Sequence, residues 1–416
     1  MTGVDHEQAS PSAPVRHRLR DLVAFPVGAY LAVAAVLVVV VWASTRWLDP
    51  NIHYPVTPPT FPGSSVLGGW FRFDGGWYEL IAREGYWHRG PGMQSPVAFF
   101  PAYRLVMRAV APLLGDGILA GMAVTALSGL AATVLVHRWT ADRLGESCAR
   151  WTVATLLVYP YAWYLFGAVY ADALFVFAVV GAFVLLERDH TVLAGLAGAV
   201  ATAARPVGIA VVVGLVAVLV ERRGGPGRLG GLRPADAGVL LSVGGLAAWS
   251  GYLWARWGDP LLFATVQEAP GWGQQAGPRT WFKVELVEKL RALPGVARDA
   301  LAGTTVTSAR PWEDTVYTTG VLVQAVLIVV ALGLVVAVWH RIGWGYGIYC
   351  LTVLAVPLVG TKDFQGVGRY VLAAFPCFAV VGAALAGHRR ARWWLAVSAV
   401  GLVVLASFYA RASYVA

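Results

Sequence analysis

Residues 191–220 read TVLAGLAGAVATAARPVGIAVVVGLVAVLV, and how this run meets a bilayer decides the architecture. It is apolar except at Ala204-Arg205-Pro206-Val207-Gly208, and it is longer than the roughly 20 residues of one ordinary span. Two half-helices of about 15 residues, each roughly 22 Å long, would climb to the far face and return, with Arg205 at the top. A single kinked crossing would invert every later segment. It would move the arginine-rich connections downstream to the outer side, against the positive-inside rule. A broken hairpin is therefore expected.

The rest of the chain fits that reading. Hydrophobic residues make up 58% of the 416 residues and charged residues 13%, against roughly 25% charged in soluble domains. Such a composition excludes a soluble enzyme. The net charge of +9 is mainly arginine, since lysine occurs only at Lys283, Lys289 and Lys362, a usage that suggests a GC-rich bacterial gene. The basic residues form no nucleic-acid-binding stripe; they fall in short connections, at 138, 143 and 150, at 222, 223, 228 and 233, at 341, and at 389, 390 and 392. Cys148, Cys350 and Cys377 lack metal-ligand spacing.

The expected organisation is all-α. A cytoplasmic tail, 1–21, precedes one multi-pass domain, 22–416, anchored by an uncleaved apolar run from Leu22 to Trp42. Further spans read as 118–136, 151–166, 173–186, the hairpin, 235–254, 316–340, 342–359, 370–386 and 393–409, making about 11 passes. Two long outer segments, 43–114 and 256–315, contain amphipathic stretches. In the second, Phe282, Leu286, Leu290 and Leu293 line one helical face, as in a helix lying on the membrane surface. The chain has no internal repeat and no paired broken helices of the transporter type.

The residues that can carry chemistry sit in the outer connections. Asp74, in Trp70-Phe71-Arg72-Phe73-Asp74-Gly75-Gly76-Trp77-Tyr78, is either the cap of a short helix or a carboxylate placed among aromatics to accept a hydroxyl proton. Arg104 and Arg108 stand one turn apart, suited equally to a phosphate and to snorkelling toward lipid headgroups. Arg205 has no acid near it in sequence, and a lone arginine in an apolar span costs about 2.5–3.5 kcal/mol. With the backbone N–H groups after Pro206 it reads as an anion site. Asp172 is a helix cap or a second active-site acid. Lys362, Asp363 and Arg369 form a glycine-rich turn that is either a re-entry turn or a ligand contact. There is no Walker or dinucleotide loop, no His/Cys metal set and no Asp-x-Asp. An outer-face enzyme would therefore draw its activated donor from the membrane, on a lipid phosphate.

These motifs resemble the GPI-anchor mannosyltransferase II (PIG-V-like) family of the GT-C class of multi-pass glycosyltransferases. The likeness runs through Trp70 to Tyr86, Phe99-Phe100-Pro101-Ala102-Tyr103, Tyr170-Ala171-Asp172, Ala204 to Gly208, Trp257-Gly258-Asp259-Pro260-Leu261 and Gly368-Arg369-Tyr370, in the family's order and over most of the chain. The chain departs from the family at Arg104, where proline is usual, and at Asp172, where glutamate is frequent. The resemblance implies a GT-C-type bundle that transfers mannose from polyprenyl-phosphate mannose to an acceptor hydroxyl by inverting displacement. The reaction would take place at the extracytoplasmic face, without cofactor or metal. Asp74 and Asp172 would be the catalytic acids, and Arg205, Arg369, Arg108, Lys362 and Arg104 would hold the donor phosphate. Trp77, Tyr78, Arg72, Tyr103 and His88 would contact substrate. Bacteria make no GPI anchors, so the expected acceptor is a glycolipid, a cell-envelope mannan or a secreted protein. The rival expectations are transfer of another lipid-phosphate sugar and a lipid-linked sugar flippase or transporter.

Overall fold

The computed structural model describes residues 15–49, 65–274, 277–302 and 311–415. Most of the expected tail, 1–14, lies outside the described residues, as do 50–64, 275–276 and 303–310 within the two long outer segments.

Regular structure among the described residues is helical. The longer elements are α1 (Val15–Trp47), α2 (Gly75–Glu84), α3 (Pro101–Leu114), α4 (Gly117–Leu144), α5 (Glu146–Leu157), α6 (Asp172–Glu187), α7 (Thr191–Ala204), α8 (Ile209–Arg222), α9 (Gly244–Trp257), α10 (Val284–Ala302), α11 (Pro311–Arg341), α12 (Trp344–Gly360), α13 (Phe375–Leu385) and α14 (Ala391–Ala410). Among the described residues, five helices are long and apolar enough to cross a bilayer: Val23–Trp47, Gly117–Leu144, Pro234–Trp257, Val316–Arg341 and Ala391–Ala410. Val367–Ala373 and Phe375–Leu385, bent by 77° at their junction, would together make a sixth. The chain is a multi-pass membrane protein.

The run 191–220 is a hairpin. Arg222, at the end of α8, donates to Glu187 O at 3.0 Å and to Asp189 Oδ1 at 3.4 Å, just before α7 begins. Arg223 bridges Asp189, at 3.3 Å, and Asp236, at 2.8 Å. A continuous crossing would hold these ends about 42 Å apart, whereas two 14-residue helices folded back at Arg205 bring them together. The turn is tight, because a Cβ at Gly208 would lie 2.6 Å from Thr202 Cα and 2.7 Å from Ala201 O. Outward from the hairpin, α7 lies against the first half of the next span at glycine distance. A Cβ on Gly195 would fall 2.0 Å from Gly238 O. Without lipid-excluding hydrophobic force between spans, such close backbone approach is how membrane helices gain packing.

Several boundaries differ from the sequence reading. The first helix begins at Val15, ahead of the apolar run expected from Leu22 to Trp42; its membrane-length part, Val23–Trp47, starts with that run and extends past its end. The span expected at 151–166 starts earlier and ends at Leu157, with Pro160 just beyond, where proline biases the residue before it away from the helical region. The span expected at 235–254 begins as 3₁₀ helix over Pro234–Val243. The one expected at 370–386 breaks at Ala374, two residues before Pro376. The amphipathic helix α10 is present, but only Leu286 of its expected apolar face is buried; Leu290 and the preceding Phe282 are exposed, and the Leu293 side chain lies outside the described residues.

The polar groups divide between two ends of the bundle. At one end Glu187 accepts from Trp139 Nε1 (2.7 Å), Arg143 Nε (2.9 Å) and Tyr346, while Glu221 accepts from the N–H groups of Trp344 and Gly345. This is the end where the arginine-rich connections gather. At the other end, separated from it by the 16 residues or about 24 Å of α6, are Asp74, Asp172, Arg205 and Arg369.

In a Cys148→Ser background, single cysteines at exposed Arg188 and Gly227 should react with an impermeant thiol reagent from the same side of the membrane, and one at exposed Arg256 from the opposite side. Labelling of 188 and 227 from opposite sides would mean a single crossing.

Candidate active site

Four connections at the Asp74 end supply one charged residue each. The first precedes α2. Asp74 occupies the cap position, yet its backbone is already helical (φ −59°, ψ −20°) and its carboxylate makes no capping hydrogen bond. A capping carboxylate needs the extended backbone that lets it fold over the first N–H groups. Asp74 Oδ2 instead faces Arg369, accepting from Nη1 at 3.3 Å and Nη2 at 3.4 Å. Its own N–H donates to the Tyr170 hydroxyl at 3.1 Å.

Asp172 is likewise not a cap. Ala171 holds that position, and the Asp172 carboxylate forms a buried ion pair with Arg205. The acid missing from the sequence around Arg205 is therefore supplied from α6, 33 residues earlier. Both side chains are more than nine-tenths buried, and a pair at that depth holds only because each charge has its partner. The helix-terminus anion site expected after Pro206 does not form as drawn. The Gly208 N–H is engaged by Arg205 O at 2.9 Å in a 3₁₀ turn, and the Ile209 N–H turns back to Pro206 O.

Arg205 and Arg369 converge on one ring. The Arg205 guanidinium carbon lies 4.2 Å from the centre of the Tyr370 ring and that of Arg369 lies 5.9 Å from it. Arg369 also rests 5.2 Å from the Tyr170 ring and 5.7 Å from the Tyr164 ring. Two cations, two carboxylates and a tyrosine wall form the core of the site. Tyr164 and Tyr409 are not singled out by the sequence, because tyrosines inside apolar runs read as core, and Tyr170 and Tyr370 enter it only as members of motifs, with no site role.

The other expected site residues divide. Trp77 joins an aromatic group with Phe99 (ring centres 5.7 Å apart), Trp272 (5.7 Å) and Trp87 (6.3 Å). Tyr78 is buried between Tyr103 and Tyr170. His88 is half-buried near that edge, its Nδ1 without a hydrogen-bond partner among the described residues. Tyr103 is engaged structurally, its hydroxyl bound to Gly121 O at 2.8 Å and Thr125 at 2.7 Å. Arg72 closes the end of α14, donating to Ala410 O from Nε at 3.0 Å and Nη2 at 2.8 Å. Arg104 stacks on Tyr86 at 4.2 Å, while Arg108 is exposed, so the two do not share a ligand with Arg205. Lys362 pairs with Glu285 of α10 at 3.6 Å. The neighbouring Asp363 is fully buried and accepts from Lys289 at 2.6 Å and Tyr317 at 3.1 Å. These bonds tie the connection that carries Arg369 to α10. Burial pushes the Lys283 ammonium at the start of α10 down to about 8 and raises the Glu79 carboxyl on α2 above its usual range. Among the described residues no group of three or more His, Cys, Asp or Glu could hold a metal ion.

No protein-family model matches the chain, and no curated protein does. Among solved structures it is similar to ArnT from Cupriavidus metallidurans bound to undecaprenyl phosphate, at 16% identity and a TM-score of 0.47 over 90% of this chain. It is also similar to the oligosaccharyltransferase of Archaeoglobus fulgidus in the apo form, at 14% identity and a TM-score of 0.45 over 92%. The chain spans 63% and 56% of those two proteins. Likeness at this level identifies no reaction.

Asp172→Ala should leave Arg205 buried without its counter-charge and destabilise the protein by about 3–5 kcal/mol. The double variant Asp172→Ala/Arg205→Met should recover most of that loss. Thermal melting in detergent reads both, and a single variant that melts like the unaltered protein would show that the pair bears no load.

Proposed function

We propose that the protein is a GT-C-type glycosyltransferase that moves mannose from a polyprenyl-phosphate donor to an acceptor hydroxyl at the extracytoplasmic face of the membrane. The observation that carries the reading is Asp74: a partly exposed carboxylate, released from capping, held against one of two guanidinium groups that lie near the Tyr370 ring. The choice of mannose is supported by the sequence resemblance to GPI-anchor mannosyltransferase II. Placement of the site outside the cell is supported by the gathering of arginines at the opposite end, which the positive-inside rule assigns to the cytoplasm.

In this mechanism the donor's phosphate takes Arg369, whose contacts to Asp74 are long for a charged pair. Asp74 is thereby freed to accept the acceptor's hydroxyl proton. The acceptor oxygen forms a bond to the anomeric carbon as the bond from that carbon to the phosphate oxygen breaks, and the electron pair leaves with the lipid phosphate. Arg369 and Arg205 face the charge that develops there, in a site where burial makes fixed cations effective. Asp172 is a positioning residue: it holds Arg205 at the end of the hairpin. Trp77 and Tyr78 lie one turn beyond Asp74, on the acceptor's side. A glycolipid, an envelope mannan or a secreted protein would each present a suitable hydroxyl.

Asp74→Asn keeps the size of the side chain and its ability to accept from Arg369 but removes the base. Membranes carrying this variant, given labelled polyprenyl-phosphate mannose and an envelope lipid extract, should show turnover reduced by about 10²–10⁴ with unchanged insertion and melting. Equal labelling by the variant and the unaltered protein would exclude Asp74 as the base. Labelling only from another polyprenyl-phosphate sugar would keep the mechanism and change the sugar.

A further inference from the structure

Besides Tyr370, three tyrosine rings stand near the Asp74–Arg369 pair. Two have hydroxyls already engaged: Tyr170's accepts the Asp74 N–H at 3.1 Å, and Tyr409's donates to Trp70 O at 3.3 Å. The third is different. Tyr164 is fully buried, its ring 4.8 Å from Tyr170 and 5.9 Å from Tyr409, and its hydroxyl has no hydrogen-bond partner among the described residues. Beside it, Arg369 directs Nη1 and Nη2 to Asp74, while its buried Nε–H is also unpartnered. Native interiors rarely leave one such donor without an acceptor, and each costs about 1–3 kcal/mol when they do. Here two occur next to the proposed base. The backbone beside them carries no side chain: Gly366 lies in the left-handed region at φ +78°, and a Cβ there would touch the guanidinium, 3.5 Å from Arg369 Nη2 and 3.6 Å from Nε.

An oxygen that only accepts, and that carries negative charge, satisfies both donors. We propose that Tyr164 Oη and Arg369 Nε are the seat of a phosphoryl oxygen of the lipid-phosphate donor. This inference rests on the function proposed above and adds Tyr164 as a donor-binding residue. Arg205, which packs on the Tyr370 ring that Arg369 also approaches, would then meet a second oxygen of the same phosphate, and a third would draw Arg369 Nη2 away from Asp74. The Tyr164 hydroxyl would hold the departing group in line with the acceptor's approach from Trp77.

The test is the affinity of the full chain in detergent for undecaprenyl phosphate, measured for the unaltered protein and for Tyr164→Phe and Tyr161→Phe. Tyr161 is also buried with an unpartnered hydroxyl among the described residues, but its ring packs on Gly368, whereas the Tyr164 ring faces the Arg369 guanidinium, so it controls for a general loosening of the segment. Tyr164→Phe should weaken binding about tenfold or more at unchanged melting temperature, and Tyr161→Phe should leave it unchanged. If Tyr164→Phe does not fold, 3-fluorotyrosine at 164 keeps the ring and makes the hydroxyl a stronger donor, so binding should tighten there and not with the same replacement at 161; unchanged binding overturns the seat. Equal binding by Tyr164→Phe, or equal weakening by the two phenylalanine variants, overturns the seat and leaves the proposed function standing. No binding by the unaltered protein removes both.

Discussion

The ion pair between Asp172 and Arg205 is the constraint on which the arrangement at this end of the bundle depends. Arg205 sits where a chain of apolar residues turns back on itself, and a guanidinium there is tolerated only with a counter-charge at contact distance. Asp172, at the first residue of α6, supplies it. The pair fixes the turn of the hairpin against the start of α6. It also presents the Arg205 guanidinium to Tyr370, whose ring Arg369, paired with Asp74, approaches as well. The charges balance two against two, so the buried site is neutral until a ligand brings its own.

That neutrality suits a transferase. In the proposed mechanism a bound phosphate would add negative charge to a site holding two guanidinium groups, and the group it would displace from Arg369 is a carboxylate able to act as base. Donor binding and activation of Asp74 become one event in the proposed mechanism. The other end of the bundle has a different character. Glu221 accepts from two N–H groups at a helix start and Arg222 donates to a backbone carbonyl, while Glu187, Arg143 and Arg223 pair with other side chains, which is a structural use of charge.

Much of this was legible in the sequence. Charge placement alone distinguished a hairpin at Arg205 from a single crossing, and a buried arginine announced that something must offset it. What sequence could not supply was the partner, since 33 residues and a complete helix separate Asp172 from Arg205. The role of Asp74 was open for a similar reason: a cap and a released carboxylate share the same spacing and differ only in backbone dihedrals. Arg104 and Arg108 show the converse. Their i, i+4 spacing is a real helical face, but stacking on Tyr86 takes one and solvent the other. Arg72 was drawn to the end of α14, and Lys362 to Glu285, by local needs that no spacing reveals.

The most direct test of the account is a cryo-electron microscopy structure of the full chain with undecaprenyl phosphate. The account predicts phosphate density between the Arg205 and Arg369 guanidinium groups, within ion-pair distance of both, and an Asp74 carboxylate no longer paired with Arg369. Phosphate bound elsewhere, with the Asp74–Arg369 pair intact, would contradict it.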